Sequence, residues 1–174
     1  MKLPSFVEHV RSTVQESFTE ATRATWSLRG FGLTKVPLLL YCLPSVQVLN
    51  SQQCVIKIPL NWRTRNHYKS MYFGALAVGA DCAAGLMAMH HIDASGANVQ
   101  LLFKDLHADF LRRPEGDVHF VCNDGPAVQK LVAQAIKTGE RVNQKVRVSA
   151  IVPSQGSDPA ATFDLTLSLK KARQ

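Results

Sequence analysis

Residues 65–92 read RNHYKSMYFGALAVGADCAAGLMAMHHI, and most of this stretch is one apolar helix with a single carboxylate, Asp81. On a helical wheel Asp81 shares its face with Gly74, Ala77, Val78, Ala84, Gly85 and Ala88. Apart from Val78, nothing on that face is larger than a methyl group. Each interior Gly costs a helix ~1 kcal/mol against Ala, so this segment is a poor helix by propensity alone. Something must therefore approach it closely: another helix, a sheet wrapped around it, or a ligand. An acid on such a face is either a surface acid at the end of a stripe or a functional group.

Outward from the helix, the flanking segments read as a sheet. Residues 54–60 alternate, with Cys54, Ile56, Ile58 and Leu60 against Val55, Lys57 and Pro59, which predicts a half-buried strand ending at an edge or loop entry. Residues 61–71 are a polar loop into the helix. After the helix, Val99, Leu101 and Phe103 are odd-numbered while Leu106, Ala108 and Phe110 are even. A period-two pattern that changes parity carries an extra residue, so a β-bulge is expected near Lys104 and Asp105. Val118, Phe120 and Cys122 give a third strand. Asp124-Gly125-Pro126 starts a helix with a capping acid, and Gly139 ends it. Residues 146–152 and 163–169 alternate as two further antiparallel strands. A five-stranded antiparallel sheet with one face buried needs a cover, and the Gly/Ala helix is the element apolar enough to be wrapped by it.

The N-terminal third reads differently. Residues 4–28 carry apolar positions at helical spacing, and Gly30 and Gly32 are expected to end that helix. Residues 36–49 read as a short apolar helix, kinked or ended at Pro44, that packs on the main body or lids a pocket. No basic face accompanies it, which disfavours a membrane-surface role, and it is too short to span a bilayer. The expected division is an N-terminal helical extension, residues 1–50, and a main domain, residues 51–174. The 174-residue chain is 46% apolar and carries a net charge of +7. Its basic residues are scattered, which argues against a nucleic-acid face and suits a polyanionic small molecule. Four cysteines without a CxxC read as buried free thiols in a reducing compartment, and the charged amphipathic N-terminus is no signal peptide, so a cytoplasmic location is expected. His67, His90 and His91 lack ligand spacing, so no metal site is expected.

The run Asn66-His67-Tyr68-Lys69-Ser70-Met71-Tyr72-Phe73-Gly74-Ala75 resembles the N-x-x-G-x-x-H-G-G pattern of the phenylacetyl-type acyl-CoA thioesterases of the hotdog-fold, thioesterase-like superfamily. The Asn stands eight residues before the last Gly, and an acid, here Asp81, seven after it. The closest resemblance is to the less characterised branch with an apolar helical N-terminal extension. The resemblance implies an α+β hotdog fold, an antiparallel sheet around a long central helix. It implies an acyl-CoA thioesterase acting on an apolar acyl thioester without a cofactor, as a homodimer or homotetramer with composite sites. Asp81 would be the catalytic acid, reaching the carbonyl from the facing subunit. Asn66 would orient water or the carbonyl, and the helix start at Gly74 would supply oxyanion donors. Arg63, Arg65 and Lys69 would meet CoA phosphates, ahead of Arg112 and Arg113, with Tyr72 and Phe73 lining the ligand site. Lys69, Tyr72 and Phe73 stand where the family has Gly, His and Gly, and Phe73 would be strained if its turn needed positive φ. A non-catalytic acyl or acyl-CoA-binding module on the same fold is the alternative, and a dehydratase a third. Asn66 as a plain turn residue and Asp81 as an interface ion-pair partner stand beside these roles.

Overall fold

A computed structural model describes residues 5–172, with side chains from Glu20 onward. The element order is helix α1 (Ser5–Thr34), helix α2 (Pro37–Tyr41), strands β1 (Ser45–Leu49) and β2 (Cys54–Ile58), helix α3 (Phe73–Ser95), strands β3 (Val99–Phe110) and β4 (Val118–Cys122), helix α4 (Gly125–Thr138), and strands β5 (Val142–Ile151) and β6 (Pro159–Lys171). The six strands form one antiparallel sheet in the order β1-β2-β4-β5-β6-β3, and it wraps around α3. This is the hotdog fold. α3 is the one helix among the described residues long and apolar enough to cross a membrane, and here it is a mostly buried core helix.

The close approach that the small residues demand is made by Phe120. A Cβ at Gly79 would fall inside contact distance of the Phe120 ring, which is fully buried. The parity change in β3 is a bulge: Phe103 pairs with Leu167 and Leu106 with Leu165, so three steps on β3 match two on β6. β3 is a sheet edge, paired only with β6, and it leaves Leu102, Leu106 and Phe110 largely exposed.

Three local expectations are corrected. α1 does not stop at Gly30 or Gly32 but runs to Thr34. Gly32 serves instead as a contact point, since a Cβ there would meet the Leu40 backbone nitrogen at 2.9 Å, so α2 folds back directly onto α1. Residues 36–49 are not one kinked helix. Pro37 opens the five-residue α2, Pro44 follows it, and Val46 and Val48 enter β1, which pairs with β2. The sheet thus has six strands rather than five, and its first lies before residue 50, within the stretch read as the extension. Asp124 precedes α4 but does not cap it; its Oδ2 accepts the Arg147 N–H of β5 at 2.6 Å.

All four cysteines are free and buried, and burial raises their thiols, Cys122 to about 11. Replacing Gly79 by Ala forces the Phe120 ring out of a dense core. The expected loss is about 1–3 kcal/mol of unfolding free energy, read as a lower urea midpoint at unchanged slope; an unshifted midpoint would show that ring and helix are not in contact.

Candidate functional site

The loop at residues 61–71 is built to deliver the start of α3. The buried Thr64 donates from Oγ1 to the Pro59 carbonyl at 2.7 Å, and its own carbonyl accepts the Tyr72 N–H at 2.7 Å. Asn66 Oδ1 accepts from the Tyr68 N–H at 2.9 Å and the Ser70 N–H at 3.3 Å, and its Nδ2 lies 3.1 Å from Ser70 Oγ. The Asn66 side chain therefore closes its own turn. Lys69 sits at φ 64° in that turn. The left-handed conformation expected of a glycine is kept with a lysine in the position.

Phe73 is the first residue of α3 and follows Tyr72 at φ −66° and ψ 138°. Its φ is not positive, so the expected conflict between a Phe and a glycine-type turn does not arise. The Ala75 and Leu76 N–H groups bond the Tyr72 carbonyl, while among the described residues no acceptor faces the N–H of Phe73 or Gly74. These are the open donors of a helix start. The Tyr72 ring lies back on Gly74, where any side chain would collide with it.

Asp81 lies two turns further along. The small-residue face divides around it: Val78, Ala84 and Ala88 are buried against the core, while Ala77, Asp81 and Gly85 are only partly covered. Asp81 and Gly85 open into a cavity of about 710 Å³, within the usual range of small-molecule sites. Its far wall is α1, through Ala24, Ser27, Leu28 and Phe31, joined by Leu39 of α2 and by Leu101 and Phe103 of β3. Thr25 Oγ1 accepts the Val46 N–H at 2.8 Å and Arg29 Nε donates to the Pro44 carbonyl at 3.0 Å, which fixes α1 antiparallel to β1. β1 is antiparallel to β2, and β2 to α3, whose His91 lies against Ser51. The cavity is therefore a trough between antiparallel α1 and α3. Glu20 and Arg23 of α1 and His90 and Asp93 of α3 line it as well. Burial raises the Asp81 carboxyl above the ordinary Asp range and the neighbouring Cys82 thiol far above the usual cysteine range. At neutral pH Asp81 is thus a stronger base than a free carboxylate, and Cys82 stays protonated.

A second cavity, about 580 Å³, opens at the start of α3 and is lined by Asn66, Tyr72, Phe73, Phe110, Arg112 and Arg113 among others. The expected site residues thus fall into two groups. Asn66, Tyr72 and Phe73 are together, beside Gly74, and Asp81 is apart from them within one chain. Arg63 joins neither cavity; its guanidinium lies over the Tyr41 and Trp62 rings. Arg65 and Lys69 are exposed on the loop. The cations beside Asn66 are the two ranked lower from the sequence, Arg112 and Arg113. Arg112 donates to the Gln155 and Asp158 carbonyls, and Arg113 lies 5.1 Å from the Tyr68 ring centroid. The α1 wall of the large cavity carries only one trace in the sequence, the helical spacing of Ala24, Leu28 and Phe31.

A family model described as a domain of unknown function, DUF4442, matches residues 25–167. The chain belongs to the DUF4442 family. That match crosses residue 50 and takes in the last ten residues of α1. Among solved structures, the chain is similar to a protein from Shewanella oneidensis assigned provisionally as a thioesterase, with 14% identity over 86% of this chain and 99% of that one and a TM-score of 0.69. It is similar to a Pseudomonas aeruginosa protein of unknown function, also assigned provisionally as a thioesterase, with 20% identity, 85% and 96% coverage and a TM-score of 0.71. A thioesterase from Haemophilus influenzae aligns at 12% identity, 82% and 88% coverage and a TM-score of 0.60. Comparison with curated proteins gives no match. At these identities the structures establish the shared fold alone.

Two outcomes test this geometry. Lys69→Gly removes a side chain from left-handed backbone and should raise stability by up to ~1 kcal/mol in denaturant unfolding; a loss would show that the lysine side chain holds the turn. Asp81 has a raised carboxyl in the fold, so its charged form opposes folding at any pH above the unfolded Asp value, and this cost fades as pH falls through the folded value. Asp81→Asn should therefore melt higher than wild type at pH 7, with the gap closing in acid; a constant gap would mean that the carboxyl is solvated.

Proposed function

We propose that this DUF4442 protein binds an apolar acyl thioester, with the acyl chain in the α1–α3 trough, and hydrolyses it using Asp81. One observation carries the reading: Asp81, a carboxylate on the small-residue face of the core helix and raised by burial, stands in the wall of a largely apolar cavity of about 710 Å³. Asp81 would take a proton from water as the water oxygen attacks the thioester carbonyl carbon. The oxyanion so formed would be received by N–H groups such as those of Phe73 and Gly74. Collapse expels the thiolate, which takes the proton back from Asp81 and leaves a free acid and a free thiol. Coenzyme A is the carrier we favour; of the arginines at the second cavity, Arg113 would pair with its phosphates, while Arg112 is held by the Gln155 and Asp158 carbonyls. No cofactor is required.

Within one chain Asp81 and the α3 start open onto different cavities, so this reaction needs a second copy. The edge strand β3 is unpaired along its outer side and carries exposed apolar residues, the pattern that a further strand covers. A homodimer joined there would bring the partner subunit's Asp81 toward Phe73 and Asn66. We place the protein in the cytoplasm, in keeping with its free thiols.

The second reading, a binding module without turnover, is favoured by the Asn66 side chain, which is engaged in its own turn. A panel of acyl-CoAs of increasing chain length separates the two. Hydrolysis would release free CoA, and Asp81→Asn should lower turnover ~10²-fold or more with little change in binding. If both proteins bind acyl-CoA alike and neither releases CoA, the binding module stands. An active wild type whose Asp81→Asn variant keeps full rate would place the chemistry elsewhere. Light scattering at micromolar concentration should give a dimer or larger; a monomer would sink the composite site. Ala24→Phe narrows the trough and should lower activity or binding for the longest acyl chains by tenfold or more, sparing short ones. An unchanged chain-length profile would show that the acyl group lies elsewhere.

A further inference from the structure

The helices that wall the cavity have a second side. On α1, Trp26 and Leu33 are seven residues apart and face away from it, each 67% exposed. On α2, Leu38 is 59% exposed and Tyr41 47%, while Leu39 between them is buried. Trp62, from the loop after β2, is 69% exposed, and its ring meets Tyr41 edge-on at 6.3 Å between centroids. A tryptophan usually buries most of its large surface, and here both tryptophans of the chain are on the outside.

Cations are interleaved with these rings. The Arg63 guanidinium lies 6.0 Å from the Tyr41 centroid and 5.5 Å from that of Trp62, and its buried Nε has no hydrogen-bond partner. Arg29 stands 5.9 Å from the Trp26 centroid and is tied to Pro44 just beyond α2. Lys35 is exposed between the two helices. Charge is also partitioned along the chain. Residues 21–80 contain seven of the twenty Lys and Arg residues and none of the thirteen Asp and Glu residues. The remainder is balanced, so this one stretch carries the whole net charge of +7. The missing basic face of α2 is thus supplied by α1 and by a loop distant in sequence.

We propose that the α1–α2 cap docks on the surface of an anionic membrane, with Trp26, Leu38, Tyr41 and Trp62 entering the headgroup region and Arg29, Lys35 and Arg63 pairing with lipid phosphates. Amphipathic rings beside cations with no acid between them match that environment. An acidic protein offers carboxylates but no apolar depth for two tryptophans. The docking does not depend on the acyl-thioester reading. If that reading holds, a membrane-borne acyl chain would meet the cap whose inner side lines the trough.

Trp26 and Trp62 are the only tryptophans, so tryptophan emission reports this patch alone. The full-length protein is mixed with vesicles of phosphatidylcholine, with or without phosphatidylserine, and followed by co-flotation and emission. The expected result is co-flotation and a blue shift with the anionic vesicles only, weakened by salt. Arg63→Glu should lower partitioning roughly tenfold or more, and Trp26→Ser with Trp62→Ser should abolish co-flotation while the circular dichroism spectrum is unchanged. Absence of flotation and blue shift with anionic vesicles overturns the proposal, as does binding that survives both sets of substitutions. A blue shift that grows with protein concentration without vesicles also overturns it, and gives the patch to a second copy. If emission shifts with a purified acidic acyl carrier protein and not with vesicles, the patch is a protein-docking surface and the proposal falls.

Discussion

The approach of the Phe120 ring to the backbone of α3 at Gly79 is the constraint on which this architecture turns. A sheet can wrap a helix this tightly only where the helix has almost no side chains to hold it off, and α3 supplies Gly79, Ala80, Ala83, Ala84 and Ala88 to that purpose. Such a sequence gives up intrinsic helix stability. The helix is therefore held by the burial of its neighbours rather than by its own propensity, and it begins and ends where the surroundings dictate. Its start is set by the Thr64 carbonyl on the Tyr72 N–H. Its end is set by Gly96 in the left-handed region at φ 65°.

The same constraint governs the site. With the sheet occupying one side of α3, the partly covered stripe at Ala77, Asp81 and Gly85 is the seam along which something else can lie. Phe73 and Met89, at the two ends of this stripe, are exposed. A carboxylate on the wrapped side would carry the full desolvation cost of a core charge. On the seam it is buried enough to be raised and open enough to be reached. The family-like loop contributes its conformation rather than its residues. Lys69 holds a left-handed backbone angle, and Phe73 begins α3 as an ordinary helical start, so neither residue breaks the backbone of this loop.

What the sequence made legible follows from the range of the signals. Period-two alternation and its parity change are local, so the strands and the bulge at Lys104 and Asp105 were readable without knowing their partners. β1 was missed because Val46 and Val48 follow a proline-bounded apolar run by only two and four residues after Pro44, and their strand character appears only when β2 lies alongside. The length of α1 was misjudged because Gly32 reads as a stop in isolation, yet its absent side chain is what admits α2. The placing of Asn66, Arg112 and Arg113 around one cavity, and of the α1 wall around the cavity of Asp81, brings together segments more than forty residues apart. No periodicity encodes them. The acid-free stretch was open to view, but an absence spread over sixty residues is invisible to a reading that looks for clusters of charge.

α1 shows how one helix can serve two environments. Positions 24, 28 and 31 fall on one face and line the trough, while 26 and 33 fall on the opposite face and meet solvent. Both faces carry large apolar side chains, so this end of α1 is not the usual amphipathic surface helix with one wet side. An element apolar on both sides is stable at a surface only when each side has something to cover it. The inner side has α3 and the trough. The outer side has only cations laid over its rings, which shield part of the apolar area while adding charge of a single sign. Solubility alone would be served as well by polar residues at positions 26, 33, 38 and 62. The combination of large rings and unopposed positive charge is the arrangement that an apolar interior under an anionic skin would reward.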